Sequence, residues 1–288
     1  TRANQRKAAF TGSAENIKQE RELLAHKADL TELQAKQLET ALYNAANNPQ
    51  TVADVVKRRI QAEAAQTEKL YGFDYKYAGK SVTTNDLDEL LRKETNPAKR
   101  QQIGEASKEI GPTLKDGLLN LRDLRNQTVQ ALGYPEYFTY QASDYGLTRD
   151  EMMALVRKIN TELRPLYREL HTYARYELAR KYKVKQVPDL LPAHWLPNRW
   201  GQDWGSMVDV KGLNLDAVLA KKGPEWQVQQ GERFYQSLGF PALPASFYEK
   251  SSLYPLPKDA GYKKNNHASA WHIDLNNDLR SLMSVEAN

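Results

Sequence analysis

The chain contains no cysteine. That excludes a disulfide framework and any thiolate metal site, and it leaves the redox compartment open. It also has no apolar run near the ~20 residues needed to span a bilayer, and residues 1–30 carry charges throughout with no apolar signal core. Histidine is scarce. His26, His171, His194, His267 and His272 are the full set, and none has a histidine at i+4, so no H-E-x-x-H helix exists in these 288 residues. No G-x-S-x-G elbow, P-loop or G-x-G-x-x-G fingerprint occurs, and there is no internal repeat or low-complexity tract. Charge of one sign is also in short supply: 41 basic against 36 acidic residues leave a surplus of +5. The clusters Lys57-Arg58-Arg59 and Lys263-Lys264 lack aromatic or glycine interleaving. They read as solvated helix faces in preference to a nucleic-acid surface.

What is present is helical period. Val52, Val55, Val56 and Ile60 share one helical face. Asn47-Asn48-Pro49 predicts a turn between two antiparallel helices. Asn96-Pro97 and Gly111-Pro112 predict helix ends, and a helix from Leu114 should stop at Gly133 and Pro135. The clearest helix starts at Thr148, an N-cap with Asp150 and Glu151 in the first turn. Its apolar face runs from Met152 through Leu178, and its tyrosines read as core packing. Pro165 lies inside it and predicts a kink, not an end.

After Val187 the texture changes. Eight of the 13 prolines lie between Pro188 and Pro257, with four of the five tryptophans. This predicts loops and short elements, the kind of structure in which binding residues sit. Two places stand out. From Pro192 to Trp204, large aromatics and amides alternate with no helix or strand logic. The segment is either an aromatic plug in a core or a pocket wall with Gln202 as a hydrogen-bonding group. His267-Ala268-Ser269-Ala270-Trp271-His272-Ile273 reads as a short strand, ordinary or functional. His267 and His272 would face opposite sides of it and could not converge on a metal.

These two places resemble the angiotensin-converting-enzyme family of zinc peptidyl-dipeptidases. The family's P-A-H-x-L-x-N-x-W-x-Q-x-W run is matched from Pro192 to Trp204, and its H-A-S-A-W from His267 to Trp271. Leu163-Arg164-Pro165-Leu166-Tyr167 and Phe234-Tyr235-Gln236-Ser237-Leu238-Gly239 are also similar. The likeness covers about Leu114 onward, and residues 1–110 share only helical character. It implies a mainly α fold with two lobes around a deep cleft and a small strand element near the active site. Residues 1–110 would be a helical lid. Residues 111–288 would be a cleft wall carrying the substrate-pairing strand.

The resemblance further implies hydrolysis of peptides to release C-terminal dipeptides, a zinc cofactor, chloride as a possible activator, and a secreted or periplasmic location. The zinc helix of the family follows H-A-S-A-W by roughly two dozen residues. No catalytic or metal-binding residue is therefore expected here, and the zinc ligands are expected in a C-terminal remainder, on the same or a second chain. By resemblance, His267 would bond a substrate carbonyl, the Ala268 backbone would pair with the substrate chain, Gln202 would hold its C-terminal carboxylate, and Tyr145 would contact chloride. Departures occur at Asn266, where animal relatives carry cysteine, and at His272, where aspartate is common. Around Ile103–Ser107 the family's tryptophan-rich motif is absent. The alternative is a non-catalytic peptide-binding relative of the same fold.

Overall fold

The computed structural model describes residues 2–207, 212, 215–254, 256, 257, 259–261, 269–275 and 278–284. The chain is mainly helical. It divides into two compact units, Thr1–Met207 and Val208–Asn288.

The first unit begins with α1 (Arg2–Thr11), α2 (Ala14–Ala25), α3 (Glu32–Ala46) and α4 (Ala53–Gly72). Thr31 starts α3 with a full capping box, its hydroxyl accepting from the Gln34 amide. Val56 and Ile60 are buried as their spacing requires, against Ala8 of α1. The turn at Pro49 exists, but α3 is not the main partner of α4. That role falls to α7 (Ile110–Gln130). Arg59 explains how the turn is fixed without a helix hairpin. It is 4% exposed, donates to the Asn47 carbonyl at 2.8 Å and Asn48 Oδ1 at 2.9 Å, and pairs with Glu63 at 2.9 Å. Glu63 in turn accepts from Arg125 of α7 at 3.2 Å. The third residue of the basic cluster is thus a buried tie, not a solvated charge.

Gly12, between α1 and α2, lies against the same turn. A Cβ there would fall 1.7 Å from the Asn48 carbonyl oxygen and 2.4 Å from its carbon. Both are backbone atoms, so no rotamer change relieves the overlap. Gly12→Ala is expected to destabilise the unit by about 1–3 kcal/mol, read as a shifted urea midpoint at unchanged m-value.

A small antiparallel hairpin follows, β1 (Tyr75–Tyr77) with β2 (Lys80–Val82), turning at Ala78 and Gly79 with positive φ. Next come α5 (Thr84–Lys93) and α6 (Pro97–Ala106). Asn96-Pro97 opens α6 as well as separating it from α5. The Asn96 side chain accepts from the amides of Ala98 and Lys99, and Pro97 occupies the first turn, where its missing N–H costs nothing. Gly111-Pro112 likewise lies in the first turn of α7 and does not close a helix. Tyr75, Leu87, Leu91 and Ile103 form one core from the hairpin, α5 and α6.

The short α8 (Tyr137–Ser143) leads into α9 (Arg149–Lys181), a 33-residue helix. Thr148 caps it with a complete capping box, and the helix runs through Pro165. Among the described residues its C-terminal part joins the core, where Leu178 and Ala179 pack with Tyr182, Trp195 and Leu196. The apolar face farther up the helix is exposed, contrary to the core reading: Leu163 is 56% and Tyr167 54% accessible.

The second unit contains α10 (Leu215–Leu219), α11 (Pro224–Ser237) and α12 (Ala245–Lys250). It also holds an antiparallel hairpin, β3 (Ser269–Leu275) with β4 (Asp278–Ser284), and β4 packs on α12. The expected strand is present from Ser269 onward.

Candidate functional site

The Pro192–Trp204 segment is built on the end of α9 and on α6. Ala193–Trp195 forms a single 3-10 turn that sinks Trp195 and Leu196, 5% and 3% exposed, among Leu178, Ala179 and Tyr182. The Tyr182 hydroxyl donates to the Trp195 carbonyl at 3.1 Å. Arg100 of α6 completes the anchor. It is 2% exposed, donates to the carbonyls of His194, Leu196 and Glu94, each at 2.7 Å, and also donates to the Leu91 carbonyl. A buried cation is tolerated here because its N–H groups meet carbonyl dipoles and its face lies 5.4 Å from the centre of the Tyr182 ring. Burial, opposed by neighbouring groups, lowers its pKa from the usual arginine value.

The second half of the segment turns outward. Gly201 has φ +63, and its amide donates to the Asn198 carbonyl at 3.1 Å. The Gln202 amide donates to Asn198 Oδ1 at 3.0 Å, and Trp204 Nε1 donates to the Gly201 carbonyl at 3.0 Å. The backbone of Gln202 is therefore fixed while its side chain is exposed. Arg199 makes a bidentate pair with Asp88 of α5, at 2.8 and 3.1 Å. Lys108 donates to the Arg199 carbonyl at 2.8 Å and lies 5.2 Å from the centre of the exposed Trp200 ring. The first half of the motif is an aromatic plug, and the Gln202 side chain in the second half is not among the residues that line the cavity beside it.

Between α6 and this turn lies a cavity of about 420 Å³ lined by Gly104, Glu105, Lys108, His194, Asn198 and Arg199 among others. Gly104 leaves the space for His194, since a Cβ there would sit 3.2 Å from His194 Cβ. Burial and then the Arg100 charge hold the His194 imidazole below its ordinary pKa, with Glu105 opposing, so the ring is neutral near pH 7.

Among the residues proposed by resemblance, Gln202 is placed as described. Tyr145 lies in the turn between α8 and α9, 75% exposed, with its amide bonded to the Ala142 carbonyl. Among the described residues no hydrogen bond or ring contact joins it to Gln202. His267 and Ala268 lie outside the described residues, immediately before β3. Among the described residues there is no group of three or more His, Asp or Glu side chains that could hold a metal ion. The described residues do not fit a zinc site. Nor is any helix among them long and apolar enough to cross a membrane.

Arg100, Asp88 and Gly104 were not legible as site residues. An arginine inside a helix of mixed polarity gives no sign that it is buried, and nothing in the sequence links it to a turn almost a hundred positions later.

A helical scaffold carrying this tryptophan-rich turn is matched by a peptidase family model described as angiotensin-converting enzyme, over residues 1–288. The chain belongs to the angiotensin-converting-enzyme family. The match includes residues 1–110, where motifs alone had shown only helical character. It is 34% identical over 130 residues to an angiotensin-converting enzyme of Haematobia irritans exigua, covering 41% of this chain and 21% of that protein. It is 31% identical over 177 residues to angiotensin-converting enzyme of Rattus norvegicus, covering 58% and 13%. An angiotensin-converting enzyme-related protein of Drosophila melanogaster is 34% identical over 142 residues, covering 44% and 21%. The chain thus spans about a fifth or less of the length of these relatives.

Proposed function

We propose that these 288 residues are the N-terminal portion of a zinc-dependent peptidyl-dipeptidase that removes C-terminal dipeptides from peptides. The observation that carries the reading is the family match over the whole chain, together with a Pro192–Trp204 turn in which Asn198 fixes the Gln202 backbone and leaves its side chain exposed. Residues 1–110 serve as the lid over a cleft. Residues 111–288 supply one cleft wall, and the zinc ligands come from sequence outside this chain. The protein works outside the cytoplasm, secreted or periplasmic, and Tyr145 is the candidate chloride contact.

The chemistry left to this chain is binding. A substrate entering as an extended strand would pair with the backbone at Ala268, which accepts many side-chain sequences. His267 would donate to a carbonyl of the departing dipeptide. Gln202 offers an amide NH₂ to the terminal carboxylate without a full charge, so the product is not trapped.

In the full-length protein, Gln202→Leu is expected to raise KM about tenfold or more for peptides with a free C-terminal carboxylate, because a hydrogen bond to a charged group contributes roughly 1.5–3 kcal/mol. For the same peptide amidated at its C-terminus, KM should not change between the two proteins. Equal KM effects on both peptides would remove Gln202 from the carboxylate pocket. A protein that binds peptides and cleaves none of them would favour the non-catalytic relative.

A further inference from the structure

The peptide group that joins Gly201 to Gln202 is held at both ends. Its carbonyl oxygen accepts from Trp204 Nε1 at 3.0 Å, and its N–H donates to Asn198 Oδ1 at 3.0 Å. One partner precedes the group in sequence and the other follows it, and they bind opposite ends of a single rigid plane. With both ends bonded, the plane cannot turn about its flanking Cα bonds. Such a turn is the motion that would swing the Gln202 side chain.

Each partner is itself fixed. The Asn198 carbonyl accepts from the Gly201 amide at 3.1 Å, closing a four-residue turn that Gly201 leaves at φ +63, a conformation open to glycine. Within that turn Arg199 is paired with Asp88 of α5. Trp204 is half-buried beside the core of Leu178 and Trp195, and its ring lies 6.1 Å from Tyr167 and 6.4 Å from His171 on α9. The acceptor is thereby braced against α5 and the donor against α9. The Gln202 side chain is exposed and makes no hydrogen bond among the described residues, so the backbone beneath is what orients it.

We propose that Asn198 and Trp204 are positioning residues for the carboxylate contact, acting through this one peptide group. The proposal rests on the reading of Gln202 as that contact, and it adds the pair that sets the contact before substrate arrives. Ordering one loop residue ahead of binding, instead of during it, is worth about tenfold in affinity. The gain applies to ground state and transition state alike, so its loss raises KM and leaves kcat in place.

The test uses the full-length protein. In hydrogen exchange the Gln202 amide should be protected in the wild type and should exchange about tenfold faster in Asn198→Ala. Asn198→Asp keeps the acceptor and should restore protection. For peptides with a free C-terminal carboxylate, Asn198→Ala should raise KM about tenfold at unchanged kcat, with no change for the same peptides amidated. Added to Gln202→Leu, it should raise KM no further, because both act on one contact. Trp204→Phe keeps a ring and removes the donor, and it should reproduce the KM effect where Asn198→Ala fails to fold. An unprotected Gln202 amide in the wild type, or a KM effect that adds to that of Gln202→Leu, would overturn the proposal. If Gln202→Leu changes KM equally for both kinds of peptide while exchange behaves as expected, the carboxylate assignment falls and the doubly held peptide group stands.

Discussion

Arg100→Met is expected to lower stability by about 3 kcal/mol or more, because it removes the donor from several buried carbonyls at once. Those carbonyls belong to Leu91, Glu94, His194 and Leu196, so one side chain ties the end of α5 and the start of α6 to the tryptophan-rich turn. Methionine can fill much of the volume, and the loss therefore reports hydrogen bonding more than packing. Trp195, 5% exposed in the intact unit, should show a red-shifted emission in the variant before the rest of the unit unfolds. The imidazole of His194 should titrate closer to its ordinary value, since burial and the Arg100 charge together hold it down. A variant with unchanged urea midpoint and unchanged His194 titration would show that the turn is held by its apolar contacts alone.

The second large effect is alkaline. Tyr140 is 4% exposed, stacked on Tyr43 with ring centres 4.5 Å apart and met edge-on by Tyr134 at 5.3 Å. Burial, with a hydrogen bond to Tyr43 and neighbouring phenols adding to it, pushes its pKa well above the usual tyrosine value of 10.0. Burial also raises Tyr75 and Tyr182, with Arg199 and Arg100 respectively working against it. A raised folded-state pKa means that the unfolded chain gives up these protons first as pH climbs past 10. The stability they contribute is complete below pH 10 and is lost as pH rises toward the folded values. Each such tyrosine should steepen the loss by about 1.4 kcal/mol per pH unit in that window. Urea unfolding of the wild type and of Tyr140→Phe at pH 9, 10 and 11 separates its share. The variant should lose stability less steeply above pH 10, and equal slopes would contradict the burial argument.

The sequence made the helical fold legible because helix formation is announced locally. Thr148 with Glu151 carries its capping chemistry within four residues, and Val56 with Ile60 carries its buried face within one turn, whereas Asn96-Pro97 was read only as an end and also caps the start of α6. The same local logic misassigned what depends on distant partners. Asn47-Asn48-Pro49 did mark a turn, but the turn is stabilised by Arg59, and α4 found its partner in α7. The α9 tyrosines read as core because an apolar face at helical spacing normally finds a core. Here that face is exposed. At the site, the motif from Pro192 to Trp204 was visible as unusual texture, and its split into a buried, anchored half and an outward-turning half was not. That split depends on Arg100, Asp88 and Gly104, whose roles exist only once α5 and α6 are folded beneath the turn.

The proposed activity is tested most directly by a peptide-cleavage assay on the full-length protein, with products identified by mass spectrometry. Successive loss of dipeptides from the C-terminus is expected, abolished by a chelator, restored by zinc, and weakened by amidation of the substrate terminus. Release of single residues, or cleavage indifferent to the C-terminal carboxylate, would contradict it.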